Sequence, residues 1–248
     1  MQQQGGRIQS INRAVQLLEA AASSPDGAGA TTLAEAVGLK VSTAHTLIRT
    51  LADNGLLELV PETRRYRIGL RLLTLSMAAN SNALQRVGLL AGEQVVSLAS
   101  SLNEFAGLFT LSAGQMLVLS SYAPPNGLTV TLPPGGYIRQ PHRMAAGKML
   151  LAASNPELAA AYLEALAATD RDGAATLQAE LELARRTGYA EAVNTDDSGL
   201  HALAIPVPRI GGLQLALAIS VPLPRMDRTR MLAAMRQTAV RLATQISK

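Results

Sequence analysis

One short segment of the sequence combines small hydrogen-bonding side chains with a cation at helical spacing. Residues 38–57 read GLKVSTAHTLIRTLADNGLL. Short hydroxyls and an imidazole reach base edges or phosphates without bulk, and a guanidinium can form two hydrogen bonds to guanine. A helix with such a side would suit the major groove of DNA. Two turns gather Ser42, Thr43, His45, Thr46 and Arg49, and the helical repeat places Ser42, His45, Thr46, Arg49 and Asp53 on one side.

A structural interpretation of the same segment stays open. Ser42 could cap the helix, and the remaining polar residues could form a solvated surface. On the opposite side, apolar residues would pack against neighbouring helices, namely Val41, Ala44, Leu47, Ile48 and Leu51. For the helix taken alone, both interpretations explain the pattern.

The preceding residues predict two further helices that would support this one. Residues 8–22 place apolar side chains at helical spacing, at Ile8, Ile11, Val15, Leu18 and Ala22. A capping box of Thr32 and Glu35 predicts a short helix over 33–37, and Gly38 ends it. The third helix then spans 42–53, and Asn54-Gly55 ends it.

Two short strands follow, and they favour DNA binding over the structural interpretation. LLELV and RYRIG, joined by PETR, predict a hairpin. Three helices followed by a hairpin form a winged helix-turn-helix. The wing would carry Arg64, Arg65, Tyr66 and Arg67 beside the groove, where the cations would bind backbone phosphates.

Beyond the wing the pattern predicts a second domain. Residues 70–101 are helical, with a predicted buried stripe of Leu70, Leu73, Leu84, Val87, Leu90 and Leu98, and AANSN at 78–82 interrupts them. We therefore expect a DNA-binding domain over 1–69, a linker helix over 70–82 and a second domain over 83–248. Strands are predicted at FAGLFTLS, QMLVLSSY, LTVTL, 200–208 and 213–221, and helices at 145–153, 156–167, 174–187 and 227–246. This order predicts an α+β domain around an antiparallel sheet.

Four ordered motifs resemble bacterial transcriptional regulators of the IclR type. The segment from Gly38 to Leu75 resembles their DNA-binding segment, although Thr46 stands where the family commonly has Arg. PHRMAAGKMLLA at 141–152, ARRTGYA at 184–190 and GLHALAIPV at 199–207 resemble segments of their effector domain.

The resemblance implies a GAF-like second domain with a pocket for a small molecule, often a carboxylate. The family's pocket positions fall on Ala145, Ala146, Asn194, Ala202, Ser220 and Pro222. Ala145-Ala146-Gly147 would begin a helix whose free N–H groups could bind a carboxylate, with His142 and Arg143 just before it. The alternative is that these small residues allow close packing on the sheet and that His142 is an ordinary loop histidine.

The amino-acid composition and the absence of catalytic motifs narrow the possible functions. The absence of cysteine excludes disulfides and thiolate chemistry. No spacing of His142, His201, Asp196 and Asp197 matches a metal site, and no catalytic motif is present, so we expect no cofactor, no metal and no enzyme. A net charge of +4 mildly favours a polyanionic partner. The start of the sequence lacks an apolar signal segment, which predicts a cytoplasmic protein without a membrane span.

A single recognition helix covers few base pairs, so we expect a homodimer on a near-palindromic DNA operator. The family resemblance adds possible pairing of dimers into tetramers. A DNA-binding protein with no effector is the alternative that the sequence leaves open.

Overall fold

The computed structural model describes residues 8–79, 83–112, 114–125, 132–193, 199–210 and 213–246. The chain divides into two compact units, which span residues 1–81 and 82–248. Within the described residues, no helix is both long and apolar enough to cross a membrane.

The first unit contains four helices and a hairpin among its described residues. The elements are α1 (Gln9–Ala22), α2 (Ala30–Ala36), α3 (Val41–Asp53), β1 (Leu57–Val60), β2 (Arg65–Ile68) and α4 (Leu70–Ala79). The two strands are antiparallel, with Leu57 opposite Ile68. Ala28, in the loop before α2, bridges Tyr66 through two backbone hydrogen bonds of 3.0 and 2.8 Å. This bridge fastens the wing to the helices.

The core of this unit lies among α1, α2 and α3. Its buried residues include Leu17, Ala21, Leu33, Ala44, Ile48, Leu51 and Leu57. Helix α1 buries Leu17 and Ala21 in this core, whereas three of the apolar residues that mark the helix in the sequence face outward. Ile8, Ile11 and Val15 are 63%, 58% and 48% exposed. Helix α1 therefore has two apolar sides, and only one of them packs within its own unit.

Two local predictions are wrong, namely the capping box of α2 and the burial of Val41 in α3. Helix α2 begins at Ala30 after Gly29, without a side-chain cap, so Thr32 and Glu35 form no capping box. Its start is instead set by the loop that pairs with the wing. Val41 is the first residue of α3 and is 49% exposed. The helix first contacts the core at Ala44, so Val41 lies outside the packed part.

The second unit contains six strands in its described part, and they form one antiparallel sheet. Its elements are α5 (Ala83–Leu102), β3 (Phe105–Ser112), β4 (Gln115–Tyr122), β5 (Tyr137–Ile138), α6 (Ala145–Ala153), α7 (Pro156–Ala167), α8 (Arg171–Thr187), β6 (Ala190–Val193), β7 (Leu200–Ile210), β8 (Leu213–Pro222) and α9 (Arg228–Ile246). The strand order is β5-β4-β3-β8-β7-β6. Strand β3 therefore pairs with β8, which follows it at a long distance in sequence.

Helices cover both sides of this sheet, and the two sides differ in residue size. Helices α5 and α9 pack on branched residues such as Leu203, Ile205 and Leu217. Helices α6 and α8 pack on the other side, where β6, β7 and β8 present small residues, including Ala192, Ala204, Ala216 and Ala218. This small-residue side leaves space beneath α6.

Most elements predicted beyond the wing are confirmed, and a few need correction. Asn155 caps α7 by accepting from the Glu157 N–H at 2.9 Å, and Pro156 is the first helical residue. Helix α8 begins earlier than predicted because Asp170 caps it, and β5 and β6 were not predicted. Leu70 and Leu73 are 74% and 56% exposed, so that part of the predicted stripe is wrong, whereas Val87 and Leu98 are buried. Of the interruption predicted at 78–82, Ala78 and Ala79 still belong to α4, and the rest lies outside the described residues. The side chains of Leu84 and Leu90 and the strand within LTVTL lie outside them as well.

Candidate nucleic-acid interface and ligand cavity

The polar side of α3 is free of contacts with the core of its unit. Ser42, Thr43, His45, Thr46 and Arg49 are all exposed, whereas the opposite side of the helix is buried. The residue that precedes α3 is Lys40, and no side chain caps the helix. Ser42 thus lies inside the helix, and the interpretation that it caps the helix is wrong.

Helix α3 forms a ridge between two surface hollows. A hollow of about 420 Å³ lies on the α1 side, lined by Ser10, Arg13, Ser42, Thr43, Thr46 and Leu47. A second, of about 680 Å³, lies on the wing side and is lined in part by His45, Arg49, Asp53, Tyr66 and Arg71. A helix with side chains is about 10–12 Å wide, which matches the roughly 12 Å width of the major groove. A ridge with hollows on both sides leaves room for the two groove walls.

The wing presents cations whose surroundings differ. Arg64, Arg65 and Arg67 are exposed, while Tyr66 is half-buried and lines the wing-side hollow together with His45. Arg67 is already paired, since its Nε lies 3.2 Å from Oε2 of Glu58 on the neighbouring strand. No ion pair holds Arg64 or Arg65 among the described residues. The two of them are therefore the wing cations with the greater freedom to meet a phosphate.

The structure adds two cations that sequence reasoning missed. Arg13 of α1 lines the hollow beside Ser42 and Thr46. Arg71 of α4 lines the wing-side hollow, and its Nη1 donates to the Asn54 carbonyl at 3.2 Å. Neither stands out in the sequence, because the packing of α1 on α3 and the hydrogen bonds of Arg71 to the turn after α3 bring them to this surface.

In the second unit, a small cavity lies between the start of α6 and the small-residue side of the sheet. Its volume is about 70 Å³, and it is lined by Phe105, Phe109, Arg143, Met144, Ala145, Ala146, Ala192, Ala202, Ala218 and Ser220. Ser220 lies opposite Ala202 on one neighbouring strand and opposite Phe105 on the other. Four of the positions implied by the family resemblance therefore meet here: Ala145, Ala146, Ala202 and Ser220.

Other residues of the implied site lie elsewhere. Gly147 packs so closely on the preceding turn that a methyl group on it would overlap the Pro141 carbonyl oxygen, so its small size serves packing. Pro222 pairs with Leu200 near the end of β8 and does not line the cavity. Asn194 lies outside the described residues.

His142 points toward α7 and is not among the residues that line the cavity. Its Nδ1 lies 2.6 Å from the Tyr162 hydroxyl. Burial, and next the charge of Arg143, lower the pKa of His142 below its ordinary value, and burial raises the pKa of Tyr162. Both shifts favour a neutral imidazole that accepts a hydrogen bond from the phenol. Here His142 fastens the turn before α6.

The lining of the cavity favours a small ligand with an apolar body. Two phenylalanine rings and the alanines form its walls, and among the lining residues Arg143 is the cation and Ser220 the hydroxyl donor. Met144 precedes α6 without a side-chain cap. The first N–H groups of a helix have no partner within it, and they attract a carboxylate. Among the described residues, no carboxylate side chain lines the cavity to oppose an anion.

Of the residues considered for catalysis, the two that the structure describes, His142 and His201, lie on different sides of the sheet. His201 is buried on the opposite side of the sheet, with Nε2 3.2 Å from Oε2 of Glu191, and Glu191 also pairs with Arg228. Asp196 and Asp197 lie outside the described residues. Within the described part of the chain, no group of three or more His, Cys, Asp or Glu residues could hold a metal ion.

Comparisons with known proteins agree with both units. Residues 10–61 match the IclR helix-turn-helix domain, and residues 82–248 match the C-terminal domain of bacterial transcriptional regulators of the IclR type. HTH-type transcriptional regulator TtgV of Pseudomonas putida is 31% identical over 90% of this chain and 85% of its own length. The glycerol operon regulatory protein of Streptomyces griseus is 30% identical over 81% of this chain and 79% of its own length.

The fold agrees with that of a solved structure. The crystal structure of an IclR homologue from Microbacterium hydrocarbonoxydans, complexed with 4-hydroxybenzoate, matches with a TM-score of 0.76. It covers 96% of this chain and 99% of the homologue at 22% identity, which supports the fold alone. The named relatives are transcriptional regulators and not enzymes. Together with the exposed polar ridge of α3, these matches show that the chain belongs to the IclR family of DNA-binding transcriptional regulators.

Proposed function

We propose that α3 reads operator bases in the major groove and that the wing and α1 hold the phosphates. The observation that carries this proposal is the ridge, whose polar side chains are exposed between two hollows. Thr43, His45, Thr46 and Arg49 would contact or flank bases, and Ser42 would meet the groove edge. Thr46 donates its hydroxyl to the Ser42 carbonyl at 3.2 Å, so its oxygen is left to accept from a base.

The phosphate contacts would lie on both sides of α3. Arg64 and Arg65 are exposed wing cations that no described residue pairs with, and Arg67 would join them after leaving Glu58. Arg13 would contact the other strand, beside the hollow that faces α1. Phosphate contacts of this kind fix the position of the protein on the duplex and do not distinguish base sequences.

Substitutions at Arg49 and Arg65 test this division. Both are exposed, and no ion pair holds either side chain among the described residues, so Arg49→Ala and Arg65→Ala should unfold like the wild type. Loss of a bidentate base contact at Arg49 should cost about 1–3 kcal/mol and relax base preference. Loss of Arg65 should weaken all sequences alike and reduce the salt slope by about one unit.

The measurement is fluorescence anisotropy at several salt concentrations. It uses a duplex that the wild type selects from a random-sequence pool and a scrambled duplex. A changed base preference in Arg65→Ala, together with an unchanged preference in Arg49→Ala, would reverse the assignment.

We infer that the second unit binds a small organic acid, with its anionic end at the start of α6. Arg143 and the first N–H groups of α6 would meet the carboxylate, Ser220 would donate a hydrogen bond, and the two phenylalanines would contact an aromatic or aliphatic body. An aromatic acid such as the 4-hydroxybenzoate of the Microbacterium homologue has this chemistry. A protein that binds DNA without an effector is the alternative.

The cavity would have to enlarge when a ligand binds. Its volume of about 70 Å³ is about half that of a cavity of roughly 150 Å³ that holds benzene. Arg143 is exposed and Met144 half-buried, so the turn before α6 is the wall that can move most easily. A ligand that requires this displacement prefers one conformation of the domain, which is the condition for regulating DNA binding. A coupling of about 1–3 kcal/mol would change operator affinity roughly 5- to 150-fold.

Ala146→Phe tests the position of the pocket. Ala146 is 2% exposed, so a phenyl group there must fill the cavity, at a cost of about 1–3 kcal/mol for overpacking. The exposed Ala161 of α7 provides the control Ala161→Phe. Calorimetry with a panel of small aromatic and aliphatic acids should show binding to the wild type and the control but not to Ala146→Phe. Equal binding by all three proteins would place the pocket elsewhere, and no binding by any would favour the effector-free alternative.

We also propose that the chain acts as a homodimer, with dimers able to pair, in the cytoplasm where bacterial DNA lies. The outer side of α1 and the first turns of α4 expose apolar residues, namely Ile8, Ile11, Val15, Leu70, Leu73 and Leu75. Burial of such a surface stabilises association. Sedimentation showing a monomer at micromolar concentration, with and without DNA, would contradict this.

A further inference from the structure

The segment that starts α4, residues 69–71, is hydrogen-bonded at three points to residues 54–56, which directly follow the recognition helix. The Arg71 N–H donates to the Gly55 carbonyl at 3.2 Å, and the Gly69 N–H donates to the Leu56 carbonyl at 2.9 Å. The Arg71 side chain adds a third hydrogen bond, from Nη1 to the Asn54 carbonyl. The end of α3 and the beginning of α4 therefore form one junction.

Two glycines make this close approach possible. Gly69 is buried, and a methyl group on it would overlap the Gly55 carbonyl oxygen. Gly55 has φ of 69°, in the left-handed region that favours glycine. A methyl group on Gly55 would lie 3.4 Å from Cβ of Arg71, so the Arg71 side chain begins directly beside the end of α3. The junction is thus tightly packed on the backbone side.

The electrostatics of α3 assign a role to the guanidinium. A helix C-terminus carries a partial negative charge and is stabilised by a nearby cation. The last turn of α3 contains no basic residue and instead contains Asp53. Arg71 supplies from another helix the positive charge that α3 lacks at this end.

We propose that Arg71 is a positioning residue for DNA recognition. By holding the end of α3 against α4, it keeps the ridge, with His45 and Arg49, at a fixed angle to the wing. The proposal rests on the proposed role of α3 as the element that reads bases. The competing role is a direct phosphate contact, because Arg71 and Arg49 line the same hollow.

Salt-dependent DNA binding distinguishes the two roles. We would compare Arg71→Ala with the wild type and with Arg65→Ala as the phosphate control, using the selected and scrambled duplexes. Arg71→Ala should lower affinity for the selected duplex about 5- to 10-fold, as expected for the loss of one typical hydrogen bond. Affinity for the scrambled duplex should stay within about twofold, and the salt slope should not change, because phosphate contacts dominate both quantities.

Two further variants separate positioning from packing. Arg71→Lys retains a charged donor near the Asn54 carbonyl and should recover part of the lost affinity. Arg71→Met retains the aliphatic contact with Gly55 and should behave like Arg71→Ala. Thermal unfolding of each variant checks that the unit remains folded.

Several outcomes would overturn the inference. Parallel weakening on both duplexes with a salt slope reduced by about one unit would make Arg71 a phosphate contact. Wild-type binding by Arg71→Met would show a packing role, and wild-type binding by Arg71→Ala would show no role. An unchanged base preference in Arg49→Ala would instead remove the proposed role of α3 and this inference with it, whereas the Arg71 outcomes alone leave α3 as the base-reading element.

Discussion

The ion pair between Arg67 and Glu58 leads to a prediction about one wing cation. The two residues lie opposite each other on β1 and β2, and their side chains are 55% and 47% exposed. An exposed ion pair of this kind contributes about 0.2–1 kcal/mol. A phosphate that attracts Arg67 must first offset this energy, which lowers the contribution of Arg67 to DNA affinity about 1.4- to 5-fold.

Glu58→Gln should release Arg67 and raise DNA affinity by that factor on every sequence. Loss of a carboxylate also reduces general repulsion from DNA, and Glu62→Gln controls for this effect. Glu62 lies in the turn of the same hairpin, is exposed and forms no ion pair among the described residues. We expect Glu58→Gln to exceed Glu62→Gln by about 1.4- to 5-fold.

A double-mutant cycle with Arg67→Ala isolates the pair. Anisotropy with a scrambled duplex at low salt gives the four affinities of the cycle. In the Arg67→Ala background, Glu58→Gln should have no greater effect than Glu62→Gln, because the released cation is absent. Two results would contradict this prediction. One is that Glu58→Gln still raises DNA affinity more than Glu62→Gln in the Arg67→Ala background, and the other is that the two substitutions raise it equally in the wild type. Either result would show that the ion pair with Glu58 does not weaken the contact of Arg67 with DNA.

Three other substitutions test the second unit. The pKa of His142 is lowered in the folded state, so the unfolded chain binds the proton more readily. The free energy of unfolding should therefore fall as the pH drops from about 6.5 toward the folded pKa. His142→Asn should flatten this part of the pH dependence, measured by urea titrations from about pH 8 to about pH 5. Asn155→Ala removes the cap of α7 and should lower the free energy of unfolding by about 0.5–2 kcal/mol in the same titrations. Phe109→Ala removes a fully buried ring and should cost about 3–5 kcal/mol, and an acid that binds the enlarged cavity should raise the unfolding temperature of the variant more than that of the wild type.

The sequence predicted what local patterns determine. The polar side of α3 follows from a helical repeat, and the hairpin follows from two strands with a turn between them, so both were found with nearly correct bounds. The cap at Asn155 also depends only on adjacent residues. The positions Ala145, Ala202 and Ser220 came from the family resemblance. The sheet register places Ala202 opposite Ser220, and the start of α6 brings Ala145 to the same cavity.

The remaining features depend on contacts between distant residues. The buried side of α1 is chosen by packing on α2 and α3, because both of its sides are apolar. The start of α2 is set by the bridge between Ala28 and Tyr66, which no local motif indicates. The orientation of His142 depends on Tyr162 of α7, and the importance of Arg71 depends on the carbonyl that it meets.

The pairing of β3 with β8 has a consequence for synthesis of the chain. Strand β3 leaves the ribosome long before β8, and until β8 emerges one of its edges has no partner. The middle of the sheet can close only when nearly the whole chain has been made, whereas the contacts of α1, α2, α3 and the wing lie within the first unit. The DNA-binding unit can therefore fold on the ribosome while the second unit still exposes apolar strands to aggregation or chaperones.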